Sequence, residues 1–369
     1  MNIALVHDWL NQIGGAEYVL ETLVDLYPMA PIYTSIYWSQ VMPRAYSQWD
    51  IRTSFMDRLP WVKKHHQPFL PLYPLAFESF DFSDYDLVLS NKSGFCHGII
   101  TPPGTHHICY CLTPTRYLWD FRTYAQREGI GRLTQGLLRP VLGFLRLWDR
   151  VAADRVDQFV AISKTVQQRI AKVYRRESTI IYPPVDTERF SLSTGRIEDY
   201  YLVVSRLIPY KRVDLAVQAL TRLDRPLLIV GEGRDRAKLE SLAGPNVTFT
   251  GRLADNEVAD LTGRCRGFIF SGVDDFGIAP VEAMSAGRPV IAFAAGGALD
   301  TINEGETGLF FREPTVEALV AAVEQFETLS FKPGRIRRHA EQFSRAVFEN
   351  KITSLIEETV GSSPRSTVR

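Results

Sequence analysis

The sequence predicts an α/β chain of two doubly wound domains with parallel sheets. Three observations carry this. Short apolar runs alternate with helical patterns along most of the chain. The runs are apolar at consecutive positions, as in strands buried on both faces of a parallel sheet. The length of 369 residues suits two domains at ~100–200 residues each.

The second half reads most cleanly. Strands are expected at YLVVSR (201–206), PLLIVG (226–231), NVTFTG (246–251), GFIFS (267–271), PVIAF (289–293) and GLFF (308–311). Between the first two, Val213, Leu215, Ala216, Ala219, Leu220 and Leu223 fall near helical spacing. The first half has the same grammar with longer insertions. IALVH (3–7) leads through a glycine turn into a helix with Ala16, Val19, Leu20, Leu23 and Tyr27 on one face. Further strands follow at DLVLS (86–90), HICYC (107–111), QFVAI (158–162) and TIIY (179–182), and 55–80 and 112–150 read as insertions. Pro183-Pro184 marks a break and 186–199 reads as a linker. The expected domains are 1–185 and 200–337, with a helix over 338–360 packing back across the junction and a frayed polar tail, GSSPRSTVR. Two such domains in tandem are expected to face a central cleft between the carboxyl ends of their sheets, where open α/β sheets bind ligands.

Composition removes several classes. With 45% hydrophobic and 23% charged residues, the chain is ordinary globular material. Lys plus Arg equals Asp plus Glu at 42 each, which argues against a basic nucleic-acid binder. No apolar run approaches the ~18 residues of a membrane span, and MNIALVHDW does not read as a signal peptide. Cys96, Cys109, Cys111 and Cys265 form neither a disulfide framework nor a zinc pattern. A cytoplasmic protein with reduced thiols is expected.

Three constellations follow strands. Gly14-Gly15-Ala16-Glu17 opens a helix after the first strand, where backbone N–H groups attract a phosphate or polar ligand; a tight strand-to-helix turn explains it equally. After the strand at 201, Arg206 and Lys211 flank Pro209, which makes the segment a turn and lets both cations project from the strand end. Such a pair suits a diphosphate, although either alone reads as a solvated surface charge. Asp274-Asp275-Phe276-Gly277-Ile278 precedes a helix from about 280, with Glu282 one turn in. Helix capping accounts for Asp274 or Asp275 but not for Glu282. Asp84-Tyr85-Asp86 has the form of a metal-binding DxD and is read as turn chemistry. The histidine pairs 65–66 and 106–107 form no metal-ligand cluster, so no metal and no cofactor are expected.

Together IIYPPVDTERF (180–190), SRLIPYKRVDLAV (205–217), DDFGIAPVEAMSAGRPVIAF (274–293) and Gly296-Gly297-Ala298-Leu299-Asp300 resemble the retaining glycosyltransferases of family 4, and in particular the mannosyltransferase-like enzymes of bacterial polysaccharide and O-antigen synthesis. The resemblance runs from the first strand to about residue 355 and implies the GT-B fold. It implies that Arg206 and Lys211 contact the donor diphosphate and that Glu282 binds ribose hydroxyls. It also implies that Asp274 and the amides of Phe276, Gly277 and Ile278 hold the donor sugar. Gly14 and Gly15 would line the phosphate and acceptor side, and the base would lie near Gly231, Arg252 and Leu253.

Two positions depart from the family pattern. Asp274 stands where Glu is usual, and Leu112 stands before Thr113-Pro114 where many relatives carry His. The implied reaction moves a hexose, mannose first, from a nucleoside diphosphate sugar, GDP-mannose first, to a saccharide or lipid-linked acceptor without a metal. A nucleotide-sugar-binding protein without transfer, or another GT-B enzyme such as an epimerase or hydrolase, is the alternative.

Residues 131–176 carry ten Lys/Arg against three Asp/Glu, with Arg132, Arg139 and Arg146 seven apart among Leu, Phe and Trp. A basic amphipathic segment of this kind suits the headgroup region of an anionic membrane, and an ordinary core-facing helix fits as well. Pro140 is expected to interrupt it.

Overall fold

Strands β1 (Ile3–His7), β2 (Ile32–Thr34), β3 (Ile51–Thr53), β4 (Leu87–Lys92), β5 (His106–Cys111), β6 (Gln158–Ala161) and β7 (Ser178–Ile180) pair in parallel in the order β3-β2-β1-β4-β5-β6-β7. A second sheet contains β8 (Tyr201–Val204), β9 (Leu227–Val230), β10 (Val247–Gly251), β11 (Gly267–Phe270), β12 (Val290–Phe293) and β13 (Gly308–Phe311), also parallel, in the order β10-β9-β8-β11-β12-β13. These come from a computed structural model that describes residues 1–127, 129, 131–192 and 196–361. The polar tail from 362 and residues 193–195 of the expected linker lie outside the described residues.

The chain divides into two units, Met1–Tyr182 with Glu349 onward, and Pro183–Phe348. Both sheets have the doubly wound order, with helices crossing over between successive strands. The order reverses between β1 and β4 in the first unit and between β8 and β11 in the second. Those two switch points are where such sheets hold ligands.

Continuous apolar strands form both cores. In the first unit Ala4, Val6, Val88, Phe77, Phe95 and Leu145 are buried together. In the second, Val203, Ile229, Ile269 and Ile291 pack under the helix Val213–Leu223, whose Val213, Ala216, Val217 and Leu220 face them.

Strands β2 and β3, each only three residues long, are additions to the expected strands. Three expectations are corrected. The stretch 338–360 is not one helix. Pro333–Ala340 and Arg345–Gly361 are separate, because the Phe343 carbonyl accepts from the Val185 N–H at 3.0 Å and the Arg345 N–H donates to Val185 at 3.1 Å. That pairing leaves the backbone at 343–345 outside the helical ladder and assigns 338–348 to the second unit. The start of the expected linker, 187–190, is packed. Phe190 is buried, and Arg337 donates to the carbonyls of Phe190 and Ser285, both at 2.7 Å. Finally, the helix Arg132–Ala152 runs unbroken through Pro140. Proline there removes only the donor to the Gly136 carbonyl, on an exposed stretch where water can serve.

At the end of β9, Gly231 has φ +135°, and a Cβ there would stand 1.9 Å from the Ser205 carbonyl oxygen. Gly231→Ala should therefore destabilise the chain by about 2–4 kcal/mol through backbone strain and overpacking. Gly104→Ala, with nothing within 4 Å of the new methyl, should stay within about 0.5 kcal/mol of the original chain. Urea unfolding of the full chain measures both.

Candidate functional site

The second unit's switch point is built from the loops after β8 and β11. Pro209–Lys211 forms one 3-10 turn, and Arg212 takes a left-handed conformation with φ +49° before the helix Val213–Leu223 begins. Ser271 at the end of β11 donates its hydroxyl to the Arg212 carbonyl at 2.7 Å, which anchors the turn. Lys211 is thereby aimed at the loop after β11, where its Nζ donates to Asp274 Oδ2 at 2.5 Å. Tyr210 stands beside them. Its hydroxyl accepts from Arg206 Nη2 at 3.0 Å, and Lys211 Nζ lies 5.5 Å from its ring centre. Arg206 is otherwise exposed.

Asp274 does not cap the following helix. Ile278–Ser285 is capped by the backbone of Gly277, which has φ +89° and makes no side-chain cap bond. A capping role for Asp274 is therefore excluded, and its carboxylate serves Lys211 instead. The loop is held from behind by Gly296-Gly297. The Gly297 N–H donates to the Asp274 carbonyl at 2.9 Å, and a Cβ on Gly297 would stand 2.2 Å from the Phe276 backbone. Phe276 and Asp275 are buried. The backbone of 276–278 thus reaches a helix start on a rigid support, a geometry that presents N–H groups.

Glu282 lies in that helix, mostly buried. Its Oε1 accepts from Arg189 Nη2 at 2.7 Å, and Arg189 Nη1 donates to Asp255 Oδ2 at 2.9 Å. Burial pushes the Glu282 carboxyl up to about 7, against the opposing pull of Arg189. Its second oxygen has no hydrogen-bond donor among the described residues. Arg189 stands inside the 180–190 segment, yet nothing in its spacing marks it as the partner of a residue 93 positions away.

The remaining expected residues are more dispersed. Gly231 donates its N–H to the Gly251 carbonyl at 2.8 Å. Arg252 is exposed with no polar partner among the described residues, and Leu253 is half-buried just past β10. Gly14 and Gly15 belong to the first unit, at the cap and first residue of the helix Gly15–Leu26.

The first unit holds a buried polar network that the sequence did not disclose. Asp8 follows β1 and accepts from the N–H groups of Ser93, Gly94, Phe95 and Cys96 at 2.6 to 2.8 Å, and from the Ser93 hydroxyl at 3.1 Å. This ties the carboxyl ends of β1 and β4 together. His7 lies between Glu17 and Asn91, at 3.3 Å from each. Fully buried Lys92 donates to Gly94, Thr113 and Thr115 at 2.9 to 3.3 Å. Burial works against its ammonium, but Asp149, Cys111, Asp8 and Cys109 together outweigh it and hold it above the usual lysine range. Asp149 in turn accepts from Thr115, Trp119 and Tyr174 at 2.7 to 2.9 Å. Leu112 stands half-buried at the head of the 113–115 turn that Lys92 supports. Asp86 of the DxD-like triplet accepts from the Asn2 N–H at 2.6 Å, a long-range contact that ties the triplet to the start of β1.

Two family models cover most of the chain. Residues 13–189 match Glycosyltransferase Family 4, and residues 185–343 match Glycosyl transferases group 1. The chain belongs to the family 4 type of glycosyltransferases, with two Rossmann-like units of the GT-B fold. The GDP-mannose-dependent alpha-(1-6)-phosphatidylinositol monomannoside mannosyltransferase of Mycobacterium tuberculosis is 32% identical over 206 residues, covering 47% of this chain and 53% of the relative. A GDP-mannose-dependent alpha-mannosyltransferase of the same organism is 41% identical over 111 residues, 29% of this chain and 28% of the relative. The chain thus spans about half the length of the first relative and less of the second. Among solved structures, Anabaena HepE in complex with UDP superposes with a TM-score of 0.72 at 17% identity, covering 97% of this chain and 100% of that one.

The raised Glu282 carboxyl gives a pH prediction. A folded value near 7 against an unfolded value of about 4.3 means the native state binds the extra proton. Its stabilising contribution is present below about pH 4 and is lost as pH rises through 7. Glu282→Gln, which keeps an acceptor for Arg189, should remove this fall, flattening the urea-midpoint curve by about 1–3 kcal/mol between pH 4.5 and 7.5. Parallel curves for the two chains would show that Glu282 is ionised throughout.

Proposed function

We propose that the protein transfers a hexose, mannose first, from a nucleoside diphosphate sugar, GDP-mannose first, to a hydroxyl of a saccharide or lipid-linked acceptor with retention. The carrying observation is the meeting of Lys211 and Asp274 at the β8/β11 switch point, on loops fixed by glycine contacts. In this reading the donor diphosphate takes Lys211 and Arg206, joined by the N–H groups at 276–278. Asp274, released from Lys211 as the diphosphate arrives, accepts from hydroxyls of the donor sugar. The free oxygen of Glu282 accepts from the ribose. The family and the mannosyltransferase relatives support this choice of donor.

The chemistry asked of these residues is electrostatic. As the anomeric C–O bond to the diphosphate breaks, negative charge grows on the departing oxygen, and two preorganised cations with helix-start amides stabilise it. The acceptor oxygen bonds to the anomeric carbon, and its proton passes to the departing diphosphate. No side chain is required as a general base, and Arg206 and Lys211 supply the positive charge that a metal would otherwise bring.

The first unit adds a membrane-facing element to this reading. On the helix Arg132–Ala152, Leu133, Leu137, Phe144, Leu147 and Val151 are exposed. No described helix is long and apolar enough to cross a membrane. The proposed contact is peripheral, through 131–176, with the acceptor entering from that side. The full chain should sediment with anionic but not neutral vesicles at low salt, and release as salt rises.

Transfer is tested with a panel of nucleotide sugars, read first as thermal stabilisation and then as product. Arg206→Ala and Lys211→Ala should each lower turnover by at least ~100-fold. Asp274→Asn should lower it sharply while nucleotide diphosphate binding persists. Turnover within a few-fold of the original for all three would remove them from the mechanism. Leu112, where the family resemblance implies His, favours the second reading, a protein that binds the nucleotide sugar without transferring it. Stabilisation by a donor with no product from any acceptor, and no released sugar, would select that reading.

A further inference from the structure

The first unit contains a cavity of about 990 Å³ whose walls come from the segment 119–122 and the helix Arg132–Ala152. Arg122, Arg132, Arg139 and Arg146 line it, with Trp119 and, as the one carboxylate among the described residues, Asp120. At ~100° per residue, the three arginines of the helix, spaced by seven, fall within about 40° of one another. The core residues Leu142, Leu145, Asp149 and Ala152 lie to one side of that row. The exposed apolar residues Leu133, Leu137, Phe144, Leu147 and Val151 lie on the other flank of the solvent face. The helix therefore has three separate faces, and the arginine face borders a solvent-open cavity.

Several arginines of this chain are held by carboxylates: Arg150 by Asp154, Arg155 by Glu78, Arg225 by Glu327, Arg264 by Glu198 and Asp260. Arg122, Arg132, Arg139 and Arg146 have no ion pair among the described residues. Arg146 is oriented, since its Nε donates to the Leu118 carbonyl at 2.7 Å and leaves its outer nitrogens for another acceptor. Four like charges around one cavity, opposed among the described residues by one carboxylate, repel one another. A multivalent anion relieves that repulsion, and planar guanidinium forks match phosphate oxygens in pairs. The volume falls in the range of ligand pockets, ~300–1,000 Å³, so there is room for more than the phosphate itself.

We infer that this cavity is a binding site for a phosphate monoester or diphosphate group, distinct from the diphosphate site of the second unit. The group is the headgroup of an anionic lipid or part of a soluble phosphorylated compound. The site shares the helix Arg132–Ala152 with the membrane contact proposed above and deepens that reading; the pyrophosphate titration tests it without vesicles, donor or acceptor.

The test uses the full chain carrying Arg206→Ala and Lys211→Ala, so that the second unit's cations do not contribute. Inorganic pyrophosphate is titrated by calorimetry into this chain and into the same chain with Arg132→Ala and Arg139→Ala added. Both added positions are exposed, and circular dichroism checks that folding is kept. Binding should weaken roughly tenfold or more, on the scale of losing charge-assisted hydrogen bonds. Arg150→Ala, on the same helix outside the cavity, should leave it unchanged. Equal affinity with and without Arg132 and Arg139, or no measurable binding to the parent, overturns the site. Flotation with phosphatidylcholine vesicles, with and without phosphatidic acid, then separates the sources. Phosphatidic-acid-dependent binding lost with Arg132 and Arg139 identifies a lipid headgroup. Pyrophosphate binding without any vesicle difference identifies a soluble phosphate compound.

Discussion

Close backbone approach at the carboxyl end of the second sheet is the constraint on which the candidate site depends. The loop after β8 lies against the loop after β9 with no room for a side chain at Gly231. The loop after β11 lies against Gly296-Gly297 with equally little room. These contacts leave the two loops few alternative paths, so the side chains they carry arrive in fixed positions. A lysine and a carboxylate 63 residues apart meet because of this, not because of any local propensity. An ion pair between partly exposed groups contributes little stability. Its informative aspect is placement: the chain spends rigid backbone on bringing these two charges together at a switch point.

The first unit solves the corresponding problem with a carboxylate in place of glycine contacts. Asp8 gathers four successive N–H groups of 93–96, which would otherwise be left unsatisfied as the chain leaves β4. One layer further in, Lys92 and Asp149 bind the turn at 113–115 from below. Such a buried charge network is costly unless every member is satisfied, and here each charged group has several partners. The turn that opens with Leu112 is thus rigidly supported, although the side chain at its head is apolar.

How far the sequence disclosed this follows from the range of each interaction. Strands such as β4, β5, β8 and β11 announce themselves through consecutive apolar residues, and the motifs at 206–211 and 274–282 are local enough to read. Strands β2 and β3 are too short to show a period. Pro140 misled because a helix tolerates proline where the orphaned carbonyl meets water. Arg189 was invisible in its role, since its partner Glu282 lies on a different element and only the folded chain joins them. Asp8, Lys92 and Asp149 are scattered singly along the sequence, where each reads as an ordinary surface charge.

The balance of charge illustrates the same limit more generally. Forty-two basic and forty-two acidic residues sum to zero and exclude only a globally charged surface. The sum says nothing about which charges cancel in place. In the second unit, Arg189, Lys211, Arg225 and Arg264 each meet a carboxylate within 3 Å, so their fields are largely closed locally. In the first unit, the cations facing the cavity beside the helix Arg132–Ala152 meet none among the described residues, while the same helix leaves an apolar flank exposed. A neutral chain can therefore carry an open positive field at one place while many of its other charges are paired. There the molecule presents uncompensated charge and bare apolar surface together, the combination that an amphipathic anionic ligand fits.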